Sequence, residues 1–384
     1  MSAGLLFWIA AGLLMYSYVG YPLLLALLGR VRRTQIEPVS VDHAELPDVA
    51  VVFAAYNEEV HIRARIDNLR SQRYAHGKLR IYVGSDGSSD RTVGILEEIA
   101  GPDLRVSAFA QRRGKASVLN DLLTGVREPI VVFTDANVEF EADAVERLVR
   151  ALQHRNAGAA CGELQLLVSA GDNQDALYWR VERFLKECEG RLGALLGANG
   201  AIYAIRRELY RPLPPDTIID DFVIAMRVAA EGQVLVYSPE AGAREDTPDR
   251  LEDEFRRRVR IGMGNYQAMF RYPEFLVRAG FLRSVAYLSH KVLRWFGPQL
   301  LILMLAACWW ARDEALYRGL LILQLGAYGF LLLSYFARRW VRLPRLLSGL
   351  LMLALLNLAF LVAFCRYVGG GARGQWSRTE RKLS

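Results

Sequence analysis

The first 29 residues carry no charged side chain, and the run from Leu5 to Leu28 is almost entirely apolar. A helix of this length is sufficient to cross the roughly 30 Å hydrocarbon core of a bilayer. No basic segment precedes the run and no small-residue cleavage site follows it, so we interpret residues 1–29 as a transmembrane anchor and not as a signal peptide. The chain is therefore predicted to be an integral membrane protein.

Cationic residues flank the apolar segments. Arg30, Arg32 and Arg33 follow the anchor at once, and by the positive-inside rule they place the next domain on the cytosolic side of a bacterial-type inner or plasma membrane. The net charge of +7 is concentrated largely at such flanks. We therefore expect membrane lipids as partners, and no nucleic acid. The second flanking group comprises Arg338, Arg339, Arg342 and Arg345.

The rest of the chain divides by charge density. Residues 30–271 are charged throughout and predict a soluble domain, while residues 272–294 mix apolar residues with cations, as in an amphipathic helix that lies in the membrane interface. Residues 295–365 contain three apolar runs, and residues 366–384 form a basic tail. Three crossings would place this tail outside, against the positive-inside tendency, so we expect one run to be re-entrant or interfacial. The shortest is Trp295–Ala311, with Gly297-Pro298; the others are Gly319–Phe336 and Leu346–Cys365.

Within the soluble domain, three apolar runs of buried-strand type are each followed by a polar turn and a helical pattern. They are Val49–Ala54, Leu79–Gly84 and Pro129–Thr134. Strands of this kind, alternating with helices, predict an α/β fold with a Rossmann-like parallel sheet. Open parallel sheets bind ligands beyond the carboxyl ends of their strands, where the polar turns lie.

Polar segments follow the first two predicted strands. The first is Ala55-Tyr56-Asn57-Glu58-Glu59 and the second is Asp86-Gly87-Ser88-Ser89-Asp90. Both are suited to lining a nucleotide pocket. The alternative for the first is a helix N-terminus capped by Asn57, and for the second an Asx turn before a helix.

Two further segments offer acidic oxygen atoms. The spacing in Asp135-Ala136-Asn137 suits a hard divalent ion that bridges phosphates, with the ion held less strongly by the neutral amide of Asn137. Asp220-Asp221 opens a helical stretch, and adjacent carboxylates raise one another's pKa, as a general base requires. A capped helix with a solvated second Asp is the alternative. Arg113-Gly114-Lys115 and the basic run Arg256–Arg260 supply cations for phosphate, for lipid or for solvent.

Several classes of site are not supported by the sequence. The four cysteines lie far apart without a CxxC motif, the five histidines have no metal-ligand spacing, and no Ser/His/Asp arrangement is visible. A disulfide framework, a zinc site and a serine hydrolase are therefore not expected.

The acidic, glycine-containing and basic segments occur in one order along the chain. That order, over roughly residues 48–270, resembles the family 2 inverting glycosyltransferases of the cellulose synthase, poly-N-acetylglucosamine synthase and hyaluronan synthase group. No single motif is specific, but the ordered set is. The motifs are Ala55-Tyr56-Asn57-Glu58, Asp86-Gly87-Ser88-Ser89-Asp90, Gly114-Lys115, Asp135-Ala136-Asn137, Gly197-Ala198-Asn199-Gly200, Asp220-Asp221 and Arg257-Arg258-Val259-Arg260.

The resemblance implies a GT-A fold, a UDP-sugar donor, and Mg²⁺ or Mn²⁺ held by Asp135 and Asn137. Asp221, beside Asp220, would be the catalytic base of a single displacement that gives a β-linked product. The resemblance assigns two further groups of residues. The donor would contact Ala55, Tyr56, Glu58, Asp86, Lys115 and Asp135, and the acceptor and diphosphate region would include Gly197, Asn199, Gly200, Arg257 and Arg260.

The resemblance also implies a growing envelope or extracellular glycan as acceptor, with other subunits of an export machinery as partners. Two departures keep alternatives open. Ile261 stands where processive members carry Trp, which favours a transferase that adds one sugar to a lipid-linked acceptor. Asn137 replaces the usual second acid, the one hint of a donor-binding subunit without turnover. The tail Trp376-Ser377-Arg378-Thr379-Glu380-Arg381 resembles an ending that relatives keep on the cytosolic side.

Overall fold

The chain begins with a long apolar helical segment. The computed structural model describes residues 2–31, 46–74, 77–167, 176–246, 251–338, 340–341 and 343–371. Helix α1 (Ala3–Met15) continues through a π-helical stretch (Tyr16–Gly20) into α2 (Tyr21–Val31). Residues Ala3–Gly29 are long and apolar enough to cross a membrane, as predicted. Of the following arginines, the Arg30 side chain and all of Arg32 and Arg33 lie outside the described residues.

One mixed sheet of eight strands forms the centre of the domain. Its order is β3-β2-β1-β4-β7-β6-β8-β5, with the first four strands parallel and β7 antiparallel to β4. The three strands expected from the sequence are present as β1, β2 and β4. The strands are β1 (Val49–Ala55), β2 (Leu79–Asp86), β3 (Leu104–Phe109), β4 (Ile130–Thr134), β5 (Val138–Phe140), β6 (Ala157–Leu167), β7 (Ile202–Arg206) and β8 (Val234–Asp246).

Helices cover both faces of the sheet, which explains the uninterrupted apolar runs. All seven residues of β1 are buried, because a strand covered on both faces has no solvent side. In α6 the buried residues Val145, Leu148, Val149 and Leu152 recur at the helical period on one face. The helices of the domain are α3 (Ile62–Arg70), α4 (Thr92–Glu98), α5 (Lys115–Gly125), α6 (Ala144–Leu152), α7 (Ala176–Arg191), α8 (Asp220–Ala230) and α9 (Leu251–Arg271).

The topology brings distant segments to one edge of the sheet. The carboxyl ends of β1, β2 and β4 meet there because these strands are parallel. Strand β7 is antiparallel to β4, so its first residue, Ile202, pairs with Thr134 at the same edge. Strand β8 is parallel to β6 and therefore ends at this edge as well. The predicted site segments thus converge on one side of the domain.

The C-terminal helices are apolar and exposed. Helices α13 and α14 are each long and apolar enough to cross a membrane, whereas the helical segment Phe281–Trp295 bends by 61° into α12 at Phe296. The shortest apolar run, Trp295–Ala311, thus forms the second arm of this bent pair, and its re-entrant or interfacial placement stays a prediction. The helices are α10 (Phe281–Ala286), α11 (Leu293–Trp295), α12 (Gly297–Trp310), α13 (Ala315–Ala337) and α14 (Arg345–Val368), with a π-helical stretch at Tyr287–Val292.

The segment predicted as an interfacial helix over 272–294 differs from the prediction in two respects. The helix begins only at Phe281, after a 3-10 turn at Pro273–Leu276. Its polar residues face inward: Arg283 is 5% exposed and donates to the carbonyls of Gly193, Leu195 and Ala279, whereas Phe281 is 81% exposed. Within this segment Arg283 therefore binds the backbone of the domain, while the apolar Phe281 is exposed.

A buried polar cluster joins the anchor to the domain. The Tyr21 hydroxyl donates to Glu189 Oε1 over 2.9 Å, and His290 Nδ1 lies 2.7 Å from the same oxygen. His290 Nε2 lies 3.3 Å from Glu182, whose Oε1 accepts from Arg294 over 2.7 Å. We call these five residues the junction cluster. Each side chain has an opposite charge or hydrogen-bonding partner on another element, which ties α2, α7 and the α10–α11 segment together.

Several features predicted from the sequence lie outside the residues that the structure describes. These are Arg339, Arg342, the Arg345 side chain and residues 372–384, which include the Trp376–Arg381 segment.

Helix α14 packs on α9, where the rings of Phe270 and Tyr367 are stacked at 5.7 Å. All four cysteines are free, as expected.

Candidate active site

Three charged residues meet at the carboxyl edge of the sheet. Lys115, the first residue of α5, places its ammonium group 2.9 Å from Asp135 Oδ1 and 3.1 Å from Asp220 Oδ2. Asp135 follows β4 and Asp220 is the first residue of α8, so three separate elements contribute. Burial alone lowers the pKa of Lys115, but the carboxylates of Asp135 and Asp220 outweigh burial and raise that pKa above its ordinary value.

Asp221 lies beside this group, in the first turn of α8. A Cβ atom added to Gly200 would come 3.2 Å from Asp221 Oδ2, so only a small residue fits at position 200. Burial, followed by the neighbouring Asp220 carboxylate, raises the pKa of Asp221 to about 6, against the opposing effect of Lys115. A carboxylate with this pKa is ionised at neutral pH and accepts a proton better than an ordinary aspartate.

Arg260 approaches the carboxylates from α9. Burial, then Arg257, lowers its pKa, while Asp220, Asp135 and Asp221 oppose this, which shows that its guanidinium lies within electrostatic range of all three. Arg257 instead forms an ion pair with Glu254 on its own helix, at 3.7 Å. The structure therefore brings Arg260 to the acidic residues. We call Lys115, Asp135, Asp220, Asp221 and Arg260 the catalytic cluster.

The two segments after β1 and β2 form a single platform. The Asn57 backbone N–H donates to Ser88 Oγ over 3.1 Å, and Asn57 Oδ1 accepts from the Ser89 N–H over 2.8 Å. The Glu58 N–H donates to Thr92 Oγ1 over 2.8 Å. Asn57 therefore does not cap α3, which begins five residues later, at Ile62. It holds the two loops together, with φ of 54° at its own backbone.

Tyr56 and Asp86 occupy different places on this platform. Tyr56 is partly exposed, and the Arg112 guanidinium lies 3.9 Å from its ring centroid. Asp86 is fully buried, and its two oxygens accept from the backbone N–H groups of Arg113 and Gly114 over 2.7 and 2.9 Å. Asp86 thus fixes the loop that leads into Lys115, a role that the sequence did not predict. Ala55 ends β1 and is buried.

The Gly197–Gly200 loop lies against the start of α8. Gly197 has φ of +73°, and a Cβ atom there would come within 2.6 Å of the Phe222 ring. Asn199 Oδ1 accepts from the Ala201 N–H over 3.2 Å, so its side chain shapes the loop. Gly200 therefore lies against Asp221, Gly197 lies against the neighbouring Phe222, and Asn199 supports the loop between them.

The turn after β4 offers ligands for a divalent ion. Asp135 contributes a carboxylate that is 30% exposed, and Asn137 contributes an amide oxygen. Within the described residues, no group of three or more His, Cys, Asp and Glu is arranged to hold a metal. An ion with one carboxylate and one amide from the protein takes its other ligands from phosphates and water, as Mg²⁺ commonly does. The residues present fit an ion of this kind.

Glu245 and Arg112 were missed by the sequence analysis. Glu245 is the penultimate residue of β8, and its Oε1 accepts from Asn137 Nδ2 over 3.1 Å. The signal was available, because Glu245 lies at the end of a strand that reaches the same sheet edge. Arg112 precedes the predicted Arg113-Gly114-Lys115 segment, but nothing in the sequence indicated its contact with Tyr56.

Comparison with known proteins adds to this geometry. Residues 50–210 match the model of Glycosyl transferase family 2. An N-acetylglucosaminyltransferase of Neorhizobium galegae is 26% identical over 249 residues, which are 59% of this chain and 57% of that protein. One from Mesorhizobium japonicum is 27% identical over 304 residues, which are 71% and 69% of the two chains. The chain spans little more than half the length of the N. galegae protein.

A solved structure extends the likeness to the fold. The mannosyltransferase PcManGT from Pyrobaculum calidifontis, in complex with GDP-Man and Mn²⁺, superposes with a TM-score of 0.69 at 23% identity. The alignment covers 94% of this chain and 99% of that one. The predicted GT-A fold is confirmed.

Proposed function

We propose that the protein transfers a sugar from a UDP-sugar to an acceptor hydroxyl, with inversion at the anomeric carbon, and the match of residues 50–210 to the Glycosyl transferase family 2 model supports this. The observation that carries this proposal is the catalytic cluster at the sheet edge. It combines a carboxylate of raised pKa, Asp221, with cations and with a turn suited to a diphosphate-bound metal.

The platform after β1 and β2 is the proposed donor site. Tyr56 offers a partly exposed ring to the base, and buried Glu58 and Asp86 hold the two loops in place. Asp86 does so by accepting hydrogen bonds from the backbone N–H groups of Arg113 and Gly114. Only its remaining oxygen lone pairs would be left to accept a hydrogen bond from the uridine. Lys115 and Arg260 lie where a diphosphate beside Asp135 would need cations.

Asp135 and Asn137 are the proposed metal ligands. A bound Mg²⁺ or Mn²⁺ would neutralise charge on the departing diphosphate. The Lys115 ammonium lies 2.9 Å from Asp135 Oδ1, so it orients this carboxylate before any ion is bound.

Asp221 is the proposed general base. It accepts the proton of the acceptor hydroxyl while the oxygen forms a bond to the anomeric carbon and the bond to the diphosphate breaks, so that UDP leaves. A single displacement of this kind converts an α-linked donor into a β-linked product. Gly200 leaves room beside the carboxylate for the incoming hydroxyl. Asp220 acts by holding Lys115 and by raising the pKa of Asp221.

The acceptor is proposed to be a growing envelope or extracellular glycan, and relatives named N-acetylglucosaminyltransferase favour that sugar as the first donor to test. A lipid acceptor that receives one sugar is the second candidate. Ile261 stands where processive relatives have Trp, and a β-monoglucosyldiacylglycerol synthase of Trichormus variabilis is 34% identical over 119 residues, 30% of this chain and 25% of that protein.

The proposed location is a bacterial-type inner membrane, with the catalytic domain in the cytosol. Three candidate spans, and a fourth if the bent pair counts, support membrane attachment. Phe222, next to the proposed base, has its ring 6.2 Å from that of Trp295 at the end of the bent segment. The catalytic residues therefore lie close to the membrane helices, where a glycan would leave or a lipid would enter. Subunits of an export machinery are proposed as further partners.

A donor screen tests this proposal. The full chain in nanodiscs is incubated with UDP-N-acetylglucosamine, UDP-glucose and GDP-mannose, with Mg²⁺ or Mn²⁺, and nucleotide release and product mass are measured. We expect UDP release with a β-linked product. A ladder of products supports a growing glycan, and one added sugar supports the lipid acceptor. Nucleotide binding without release or transfer for any donor would refute the proposal in favour of a donor-binding subunit.

A further inference from the structure

The Asn137–Glu245 contact explains why this chain has an amide where a second acid is usual. We propose that Glu245 is a positioning residue for the metal site, which aims the Asn137 amide oxygen at the ion and supplies from behind the negative charge that Asn137 lacks. This inference rests on the proposed function, since it concerns the same metal.

The contact fixes the orientation of the Asn137 amide. A carboxylate only accepts hydrogen bonds, so the atom of Asn137 that lies 3.1 Å from Glu245 Oε1 must be the amide nitrogen, Nδ2. The amide oxygen then points away from Glu245. An amide held by one end loses little further rotational freedom when its oxygen binds an ion, and this is how second-shell residues usually act on a ligand.

The backbone places Glu245 at this position. Strand β5, which follows the Asp135–Asn137 turn, pairs antiparallel with β8, and Val138 is opposite Glu245 in the ladder. Asn137 is therefore one residue from a fixed register. Glu245 is only 6% exposed, so its carboxylate does not swing freely into solvent.

Glu245 is surrounded by other charged side chains. Glu245 and Asn137 line a cavity of about 340 Å³, together with the cations Arg65 and Arg244. The Arg65 guanidinium is buried and donates to Thr134 Oγ1 over 2.8 Å. Glu139 lies on the same wall, so two arginines and two glutamates already line this cavity. An acid at position 137 would put another carboxylate about 3 Å from that of Glu245, and like charges at this distance do not both ionise readily.

Four chains test the inference through Mn²⁺ binding, which is measured by electron paramagnetic resonance in the presence of UDP. They are the native chain, Asn137→Asp, Glu245→Gln and the double variant. We expect Asn137→Asp alone to bind Mn²⁺ no more tightly than the native chain, because Glu245 repels the new carboxylate. Glu245→Gln keeps the acceptor for Asn137 but removes the charge, so it should weaken Mn²⁺ binding, though less than Glu245→Leu does. The double variant should bind at least about tenfold more tightly than Asn137→Asp.

Two controls make the result specific. Glu139→Gln removes an exposed charge from the same cavity wall and should leave Mn²⁺ affinity unchanged. Glu245→Leu removes the acceptor and should weaken binding about tenfold, with the melting temperature recorded to show that the variant is folded. If Asn137→Asp alone binds as tightly as the double variant, the inference is wrong and the proposed function stands. If the native chain binds no Mn²⁺ with UDP, the inference and the metal assignment both fail, while UDP release in EDTA would preserve the transferase proposal.

Discussion

The protein contains two clusters of charged residues in which buried carboxylates have pKa values shifted in opposite directions. In the junction cluster, Glu182 lies among Lys291, His290 and Arg294, and although burial raises its pKa, these cations outweigh burial and hold the pKa well below its usual range. In the catalytic cluster, burial and Asp220 raise the pKa of Asp221 despite Lys115. Carboxylates that are saturated with partners stabilise a fold, whereas a carboxylate with an unbalanced charge is ready to take a proton.

This difference has a consequence for stability as a function of pH. The lowered pKa of Glu182 means that its ion pairs stabilise the fold above the ordinary glutamate range near pH 4.5 and are lost as pH falls below it. The raised pKa of Asp221 has the opposite sign: its contribution to stability is present at low pH and is lost as pH rises through about 6. The ionisation of Asp221 therefore reduces stability at neutral pH, whereas that of Glu182 increases it.

The largest expected effect on stability comes from breaking the junction cluster. His290→Ala leaves Glu189 buried with only the Tyr21 hydroxyl as a partner from this cluster, and we expect a loss of about 3–5 kcal/mol in the free energy of unfolding. Denaturation in detergent, followed by circular dichroism, measures it. Nucleotide release per folded molecule should stay close to that of the native chain. Glu97→Gln, an exposed residue of α4, is the control and should change neither quantity. A native melting curve for His290→Ala would show that the cluster is not structural.

A smaller effect is expected when pH changes the charge of the catalytic cluster. Because Asp221 must be ionised to accept a proton, kcat/KM should be flat above about pH 6 and should fall about tenfold per pH unit below it. Initial rates of UDP release between pH 4.5 and 8, on protein shown to remain folded at each pH, measure this. An inflection that lies near pH 4, the ordinary aspartate range, would separate Asp221 from the proton transfer.

Much of the catalytic cluster was accessible from the sequence, for a definite reason. Asp135 follows an apolar strand, and the carboxyl ends of parallel strands always meet at one sheet edge. The pairing of Lys115 with both Asp135 and Asp220 was not accessible, because α8 reaches this edge after a long excursion through β6, α7 and β7. Glu245 obeys the same strand-end rule as Asp135 and was within reach.

The junction cluster was not predictable in this way. Tyr21, Glu189 and His290 are separated by more than 100 residues each, and no periodic pattern links them. His290 and Arg283 were interpreted as the polar face of an interfacial helix, because a helix alternating cations with apolar residues has the same sequence pattern in either orientation. Only tertiary packing decides which face meets water, which meets protein and which meets lipid.

The contrast between the clusters is tested most directly by one substitution. Asp221→Asn keeps the shape of the side chain and removes its ability to accept a proton, so sugar transfer should fall by about 10²- to 10⁴-fold. The melting temperature at pH 7 should be unchanged or higher, because the variant removes a carboxylate whose ionisation is disfavoured in the fold. Asp216→Asn, which removes the charge that pairs with Arg271 and keeps an acceptor for Gln267, is the matched control and should remain active. Full transfer activity in Asp221→Asn would contradict the account.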